Sequence, residues 1–240
     1  MRQAHRAGEK CFIDFSGDGI DVVDPATGEC EKAVLFVAVL GGSSLTYAEP
    51  VLKQDLTAWV SAHVRAFNFF GGVTQVWAPD SPKGGVTRAD KYEPELNPTY
   101  AELARHYGAA VVPARPYRPR DKAKVEVAVL LAERWILAVL RHRSFYSLGE
   151  LRAAVLELTE KLNNRPMRQL KKSRRQLFEG MERAALKPLS AQPYELAFWA
   201  KATVAPDYHV AYGEHFYSVP YQLLGERLEV RATQCAVEVF

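Results

Sequence analysis

Cysteine is scarce in this 240-residue chain: Cys11, Cys30 and Cys235 are odd in number, far apart and without a CxxC pair. That argues against a disulfide framework and a structural zinc site of the usual spacing, and the three are expected to be buried free thiols. Long apolar runs are missing too. No stretch of roughly 18 apolar residues is present to span a bilayer, and the opening MRQAHRAGEKCF has no apolar stretch after its charges. Neither a membrane span nor a signal peptide is supported, so the expected compartment is the cytoplasm. Internal repeats and low-complexity tracts are also lacking. What the chain does have is core material: 48% of its residues are hydrophobic, ample for one large domain and a smaller one.

The net charge of +3 is modest, but it is unevenly spread. Residues 1–80 carry 6 basic and 10 acidic side chains, residues 81–143 carry 12 and 7, and KLNNRPMRQLKKSRR at 161–175 carries 7 and none. A second concentration, RPYRPRDKAKVE at 115–126, packs five basic residues in front of one glutamate. Blocks this dense suggest a polyanion partner, with a solvated surface run as the plain alternative.

The pattern along the chain predicts a mixed α/β sheet. In KCFIDFSGDGIDVV (10–23), Cys11, Ile13 and Phe15 alternate with Phe12 and Asp14, as in a strand. DPATGE is a turn, AVLFVAVLG a strand covered on both faces, and SLTYAEPV a third strand. Helical spacing runs from Gln54 to Phe70 and stops at a Gly pair; VTQVWAPD is then a short strand delivering Asp80 at its tip. After a polar excursion come a helix near 98–107, the short strand AAVVPA, and a helix over 122–140 with Val125, Val129, Ala132, Ile136 and Val139 on its buried face. Ser147 and Glu150 form a capping-box pattern opening another helix. Beyond the basic 161–175 linker, a short helical piece is expected near YELAFWA, followed by alternating strands around Gly213-Glu214. The expected division is a tail (1–9), a catalytic-sized α/β core (10–145), a helical extension with basic linker (146–200), and a small, incomplete β-barrel (201–240).

Three acids stand out: Asp14 inside a strand, Asp80 at a strand tip, and Glu126 early in a helix behind a basic loop. A mid-strand acid among apolar neighbours is costly unless it is paired, solvated or metal-bound. Three convergent carboxylates are what two Mg²⁺ ions need to activate a water or 3′-hydroxyl in phosphoryl transfer. Turn-capping (Asp80) and the favour shown to acids at helix N-termini (Glu126) are the structural alternatives. Asp121 and Glu133 are further candidates for the third position, Glu133 being the one better suited to a salt bridge.

The blocks CFIDFSGD, AHVRAFNFFGGVTQVWAPDSPKGGV, YEPELNPTYAELARHYGAAVVPARPYRPRDKAKVEVAVLLAERWIL, LNNRPMRQL and DYHVAYGEHFYSVPYQLLGE resemble the catalytic core and following barrel of the IstA-type insertion-sequence transposases, in the retroviral-integrase-like DDE superfamily. The resemblance implies a ribonuclease-H-like sheet with flanking helices. It places catalytic and metal-binding roles on Asp14, Asp80 and Glu126, with two Mg²⁺ ions that Mn²⁺ can replace. Lys83, Arg115, Arg118, Arg120, Lys122 and Lys124, together with Arg165, Arg168, Lys171, Lys172, Arg174 and Arg175, would bind DNA through its phosphates. The implied activity is 3′-end cleavage and strand transfer, in a bacterial, nucleoid-associated setting. The implied partners are element-end and target DNA, further copies of the chain in a homo-oligomer, and an AAA+ helper ATPase. One departure is Ser81-Pro82, where the family usually has Asn after the second aspartate. With nothing before Lys10 to form a helix-turn-helix, the chain is expected to be a core without its sequence reader. A truncated remnant that binds DNA or interferes with intact transposase is the second reading, and a stand-alone ribonuclease-H-type nuclease the third.

Overall fold

The computed structural model describes residues 5–80, 86–88, 95–113 and 119–240; for 86–88, 95 and 119–123 it describes the backbone alone. The chain divides into two compact units, Met1–Gln192 and Pro193–Phe240.

The first unit is built on a five-stranded mixed sheet. Its strands are β1 (Lys10–Val23), β2 (Cys30–Leu40), β3 (Thr46–Val51), β4 (Val76–Pro79) and, beyond a short pair β5 (Val86–Arg88) and β6 (Glu95–Leu96), β7 (Ala110–Val111). They lie in the order β3-β2-β1-β4-β7, antiparallel from β3 to β1 and parallel from β1 to β7. The parallel pairs need crossovers, and helices α1 (Leu56–Phe70) and α2 (Pro98–His106) supply them. Asp55 caps α1, its side chain accepting the Ala58 N–H at 2.8 Å, and Gly71 ends the helix at φ 71°, a conformation that costs glycine little.

The two faces of the sheet are packed differently. Against α1 and α2 lies an aromatic layer: Trp59 sits 5.2 Å from Phe15 and 5.6 Å from Phe36, and Phe67 stacks on Trp77 at 4.7 Å. His63 is fully buried among these rings. Its Nδ1 lies 2.7 Å from the Trp59 carbonyl, so it must donate there, and Nε2, 3.0 Å from the Tyr100 hydroxyl, accepts. Burial pushes its pKa down to about 3, from an ordinary 6.5. The unfolded chain therefore takes up a proton at pH values where the folded one refuses it. The contribution is complete above pH 6.5 and is lost as pH falls toward 3, at roughly 1.4 kcal/mol per pH unit. Urea midpoints should decline between pH 7 and pH 5, and His63→Gln should flatten that decline; equal slopes in the two proteins would reject the assignment.

The other face carries Phe12, Leu35, Val37 and Val39, and packs against α3 (Pro119–Ala132), its continuation, and α4 (Leu148–Asn164). The helix expected over 122–140 differs from expectation in one respect. Residues Glu133–Leu137 form a π turn before Ala138–Leu140 resume the α-helix. The extra residue rotates the buried stripe, so Leu137 and Leu140 face the core while Val139 is 53% exposed.

Three further readings are corrected. Of the three thiols expected to be buried, Cys11 is, whereas Cys30 and Cys235 are exposed. No helix forms at 194–200: the chain there enters strand β8 (Phe198–Thr203), because pairing with a neighbouring strand outweighs local propensity. Helical turns lie earlier, in the stretch taken for a linker: α5 (Arg174–Leu177), a π turn at Phe178–Glu182 and a 3-10 turn at Arg183–Ala185. Their anchor is Glu182, fully buried, whose carboxylate accepts N–H bonds from Gly8 (3.3 Å), Gly42 (3.0 Å) and Ser43 (2.6 Å).

The second unit holds β8, β9 (His209–Tyr212), β10 (His215–Ser218), β11 (Arg227–Ala232) and β12 (Val237–Val239). They form two small antiparallel sheets, β12-β11-β8 and β10-β9, over a core of Val204, Val210 and Leu228.

Candidate active site and its basic surround

The site begins with register. The β1–β4 ladder pairs Phe12 with Ala78 and Ile13 with Pro79, and the Asp80 N–H donates to the Ile13 carbonyl at 2.9 Å. The next step places Asp14 beside Asp80 on strands about 4.8 Å apart. Parallel neighbours in register share a face, so both acids take the face of Phe12 and Ala78, which α3 covers. Asp14 is half-buried, and its Oδ1 accepts the Phe15 N–H at 2.8 Å. Asp80 is also half-buried, with Oδ1 screened from solvent.

Glu126 comes from α3. It is exposed, and its neighbours Val125 and Ala128 are packed into the same core cluster as Phe12. The structure thus brings Asp14 and Asp80 side by side and puts Glu126 on the helix above that face. Among the described residues, no three His, Cys, Asp or Glu side chains are close enough together to hold a metal ion. The adjacency of the two aspartates rests on the ladder register, one step beyond the Ile13–Pro79 pair. As a donor set, two adjacent carboxylates and a third on a covering helix suit a hard divalent cation with oxygen ligands.

Next to Asp14, β1 bulges: its register with β2 shifts between Phe15 and Gly19. The Ser16 hydroxyl donates to the Asp18 carbonyl at 2.6 Å and accepts the Leu35 N–H at 2.8 Å. At Gly19 a Cβ would run into the Ala33 carbonyl, so only glycine fits. The Gly17 N–H donates to Glu133 Oε1 at 3.2 Å. Glu133, read from sequence as suited to a salt bridge, instead ties the π turn to this bulge. The SGDG run was the available signal for it.

The basic residues sort by environment. Lys83, Arg115 and Arg118, like Ser81-Pro82, lie outside the described residues, and Arg120 and Lys122 are described in backbone only. Lys124 is half-buried, its Nζ donating to Ser44 Oγ at 2.7 Å. Within 165–175, Arg165 lies over the Trp135 ring at 3.8 Å. Arg174 is buried, its Nη1 donating to the Leu162 carbonyl at 3.1 Å near the end of α4. Arg175 grips both carboxylate oxygens of Glu160 at 2.7 and 2.8 Å and lies over Phe69. Arg168, Lys171 and Lys172 are exposed. They sit on a turn closed by the Lys171 N–H on the Met167 carbonyl (2.9 Å) and the Met167 N–H on the Lys172 carbonyl (3.0 Å). The Ser173–Gln176 capping box fixes the far side of that turn, and its S-x-x-Q spacing is visible in sequence.

This fold has solved counterparts. Over the whole chain it matches a chain of the simian T-cell lymphotropic virus intasome in complex with PP2A regulatory subunit B56 gamma, with a TM-score of 0.56 at 13% identity, covering 78% of that chain. Over 73% of the chain it matches the HTLV-2 integrase catalytic core domain solved with magnesium, with a TM-score of 0.50 at 14% identity, covering 99% of that domain. At these identities the likeness defines the class: a mixed α/β protein with the integrase-core fold. Curated sequences narrow it. The chain is 51% identical, over its full length, to a Sinorhizobium fredii protein provisionally named transposase y4bL/y4kJ/y4tB, of which it covers 46%. It is 29% identical over 94% of its length to the transposase for insertion sequence element IS21 of Pseudomonas aeruginosa, covering 52% of that protein. A family model described as Mu transposase, C-terminal domain, matches residues 189–240. The chain is similar to these transposases over 94–100% of its length, and it spans about half the length of these curated relatives.

Proposed function

We propose that this chain is the catalytic core of an insertion-sequence transposase that cuts the 3′ ends of its element and joins them to target DNA. The observation that carries the reading is the placement of Asp14 and Asp80 side by side on parallel strands, on the sheet face covered by the helix bearing Glu126. Asp14, Asp80 and Glu126 would hold two Mg²⁺ ions, which supply Lewis-acid charge at the reacting phosphate and can be replaced by Mn²⁺. Convergence of the three carboxylates on the ions would complete the set. In cleavage a water oxygen forms a bond to phosphorus and the 3′-oxygen leaves; in joining, that 3′-hydroxyl attacks a target phosphate and the target's own 3′-oxygen leaves. Both steps exchange one P–O bond for another, so no outside energy source enters the chemistry. The chain's part is to fix the carboxylates on a rigid ladder, with the bulge at 15–19 and Glu133 setting the edge of the site.

The exposed basic turn at 168–172 and the basic residues before Glu126 would hold the phosphate backbone without reading bases. The reading extends to a ribonuclease-H-like core, a small barrel in residues 193–240, assembly of several copies on paired ends, and an AAA+ helper ATPase for target choice. The test is direct. With Mn²⁺ or Mg²⁺, the chain should join a pre-cleaved end of its own element to plasmid DNA and should do nothing in EDTA. Joining that proceeds equally in EDTA, or no joining with either ion by protein that binds the end, would overturn the proposal.

A further inference from the structure

The two units differ in charge as well as architecture. Residues 193–240 carry three basic and six acidic side chains, a net −3, whereas residues 1–192 carry 28 and 22, a net +6. Two of the three cations are already engaged within the unit, Lys201 with Glu229 at 3.6 Å and Arg231 with Glu238 at 2.5 Å. A unit of this charge repels a phosphate backbone. Yet it exposes large aromatic surface: Phe198 is 43% exposed and Phe216 is 73% exposed.

Part of that surface is shaped. A groove of about 780 Å³ runs between the β9–β10 hairpin and the β8–β11–β12 sheet, lined by Tyr194, Phe198, Tyr212 and Tyr217 together with Glu195 and His215. Among the described residues, no lysine or arginine lines it. Aromatic faces carry negative potential and attract guanidinium and ammonium groups, and a carboxylate beside them adds to that attraction. Without cations the groove has no fixed positive charge to set against a phosphate.

We propose that this groove docks an arginine- or lysine-rich segment of a partner protein, and that residues 193–240 serve as a protein-binding module rather than a DNA clamp. The basic side chain lies across Phe198 and the tyrosines, its charge facing Glu195. This assignment stands apart from the catalytic one and survives if the catalytic one fails.

The test uses the full chain and a fluorescent 12-residue peptide of alternating arginine, lysine and alanine, read by anisotropy. Phe198→Ala should weaken peptide binding about tenfold, and Glu195→Gln about three- to fivefold, through loss of the ring and of the charge. Phe198→Tyr should bind as wild type does, which keeps the ring's role measurable even if the alanine variant loses structure. The affinity of a 12-nucleotide single strand should be unchanged in all three. Peptide affinity indifferent to both Phe198→Ala and Glu195→Gln would overturn the proposal. So would a loss of oligonucleotide binding in Phe198→Ala, which would make the aromatic face a base-stacking surface.

Discussion

Asp80→Asn and Asp14→Asn should each reduce strand transfer by at least about 10³-fold, roughly 4 kcal/mol in the barrier, with DNA affinity and melting temperature close to wild type. Each substitution removes a charge and almost no volume. The two acids are adjacent on parallel strands, and like charges at such spacing repel. Neutralising one should leave stability level or slightly raised. Glu126→Gln, on an exposed position of α3, should behave in the same way. A structural role would show the opposite signature, a lower melting temperature with DNA binding falling alongside activity. Strand-transfer yield, gel shift and thermal melting on the same preparations separate the two.

The second large effect divides the basic segment 165–175. Arg168, Lys171 and Lys172 carry its exposed charge, so replacing all three with Gln should lower DNA affinity for every sequence alike. The slope of log K against log salt should flatten by roughly 0.9 for each phosphate that is no longer neutralised. Arg174→Gln should leave that slope alone and cost stability, about 1–3 kcal/mol, because it abandons the Leu162 carbonyl in a buried place. Anisotropy titrations across a salt series and urea unfolding give the two readouts. An unchanged slope in the triple variant would return the turn to an ordinary solvated surface.

Sequence showed the sheet well where one residue type decided one face. Cys11, Ile13 and Phe15 alternate with Phe12 and Asp14, and the continuous apolar run of β2 announces a strand covered on both sides. Asp14 and Asp80 could be singled out from sequence, but their side-by-side register could not. That depends on the β1–β4 pairing, between residues 66 positions apart, which no local pattern encodes. The π turn at 133–137 was hidden for a related reason: Val139 and Leu140 are equally apolar, and only the helix's packing selects between them. Charge counting failed differently at 165–175. It treated six cations as one field, whereas Arg165, Arg174 and Arg175 are taken up by a ring, a carbonyl and a carboxylate. Of these three charges only that of Arg175 is offset by a carboxylate; the other two are held in fixed places.

The Glu182 carboxylate sets an order on biosynthesis. Its donors are the amides of Gly8, Gly42 and Ser43, as many as 174 positions earlier in the chain. A ribosome making this protein releases the amino-terminal segment and the β2–β3 turn long before their shared acceptor exists. Both wait, with polar groups turned to water, until the segment around 182 emerges. The sheet between residues 10 and 111 can assemble first, but the clasp on Gly8, Gly42 and Ser43 waits for the segment that carries its acceptor.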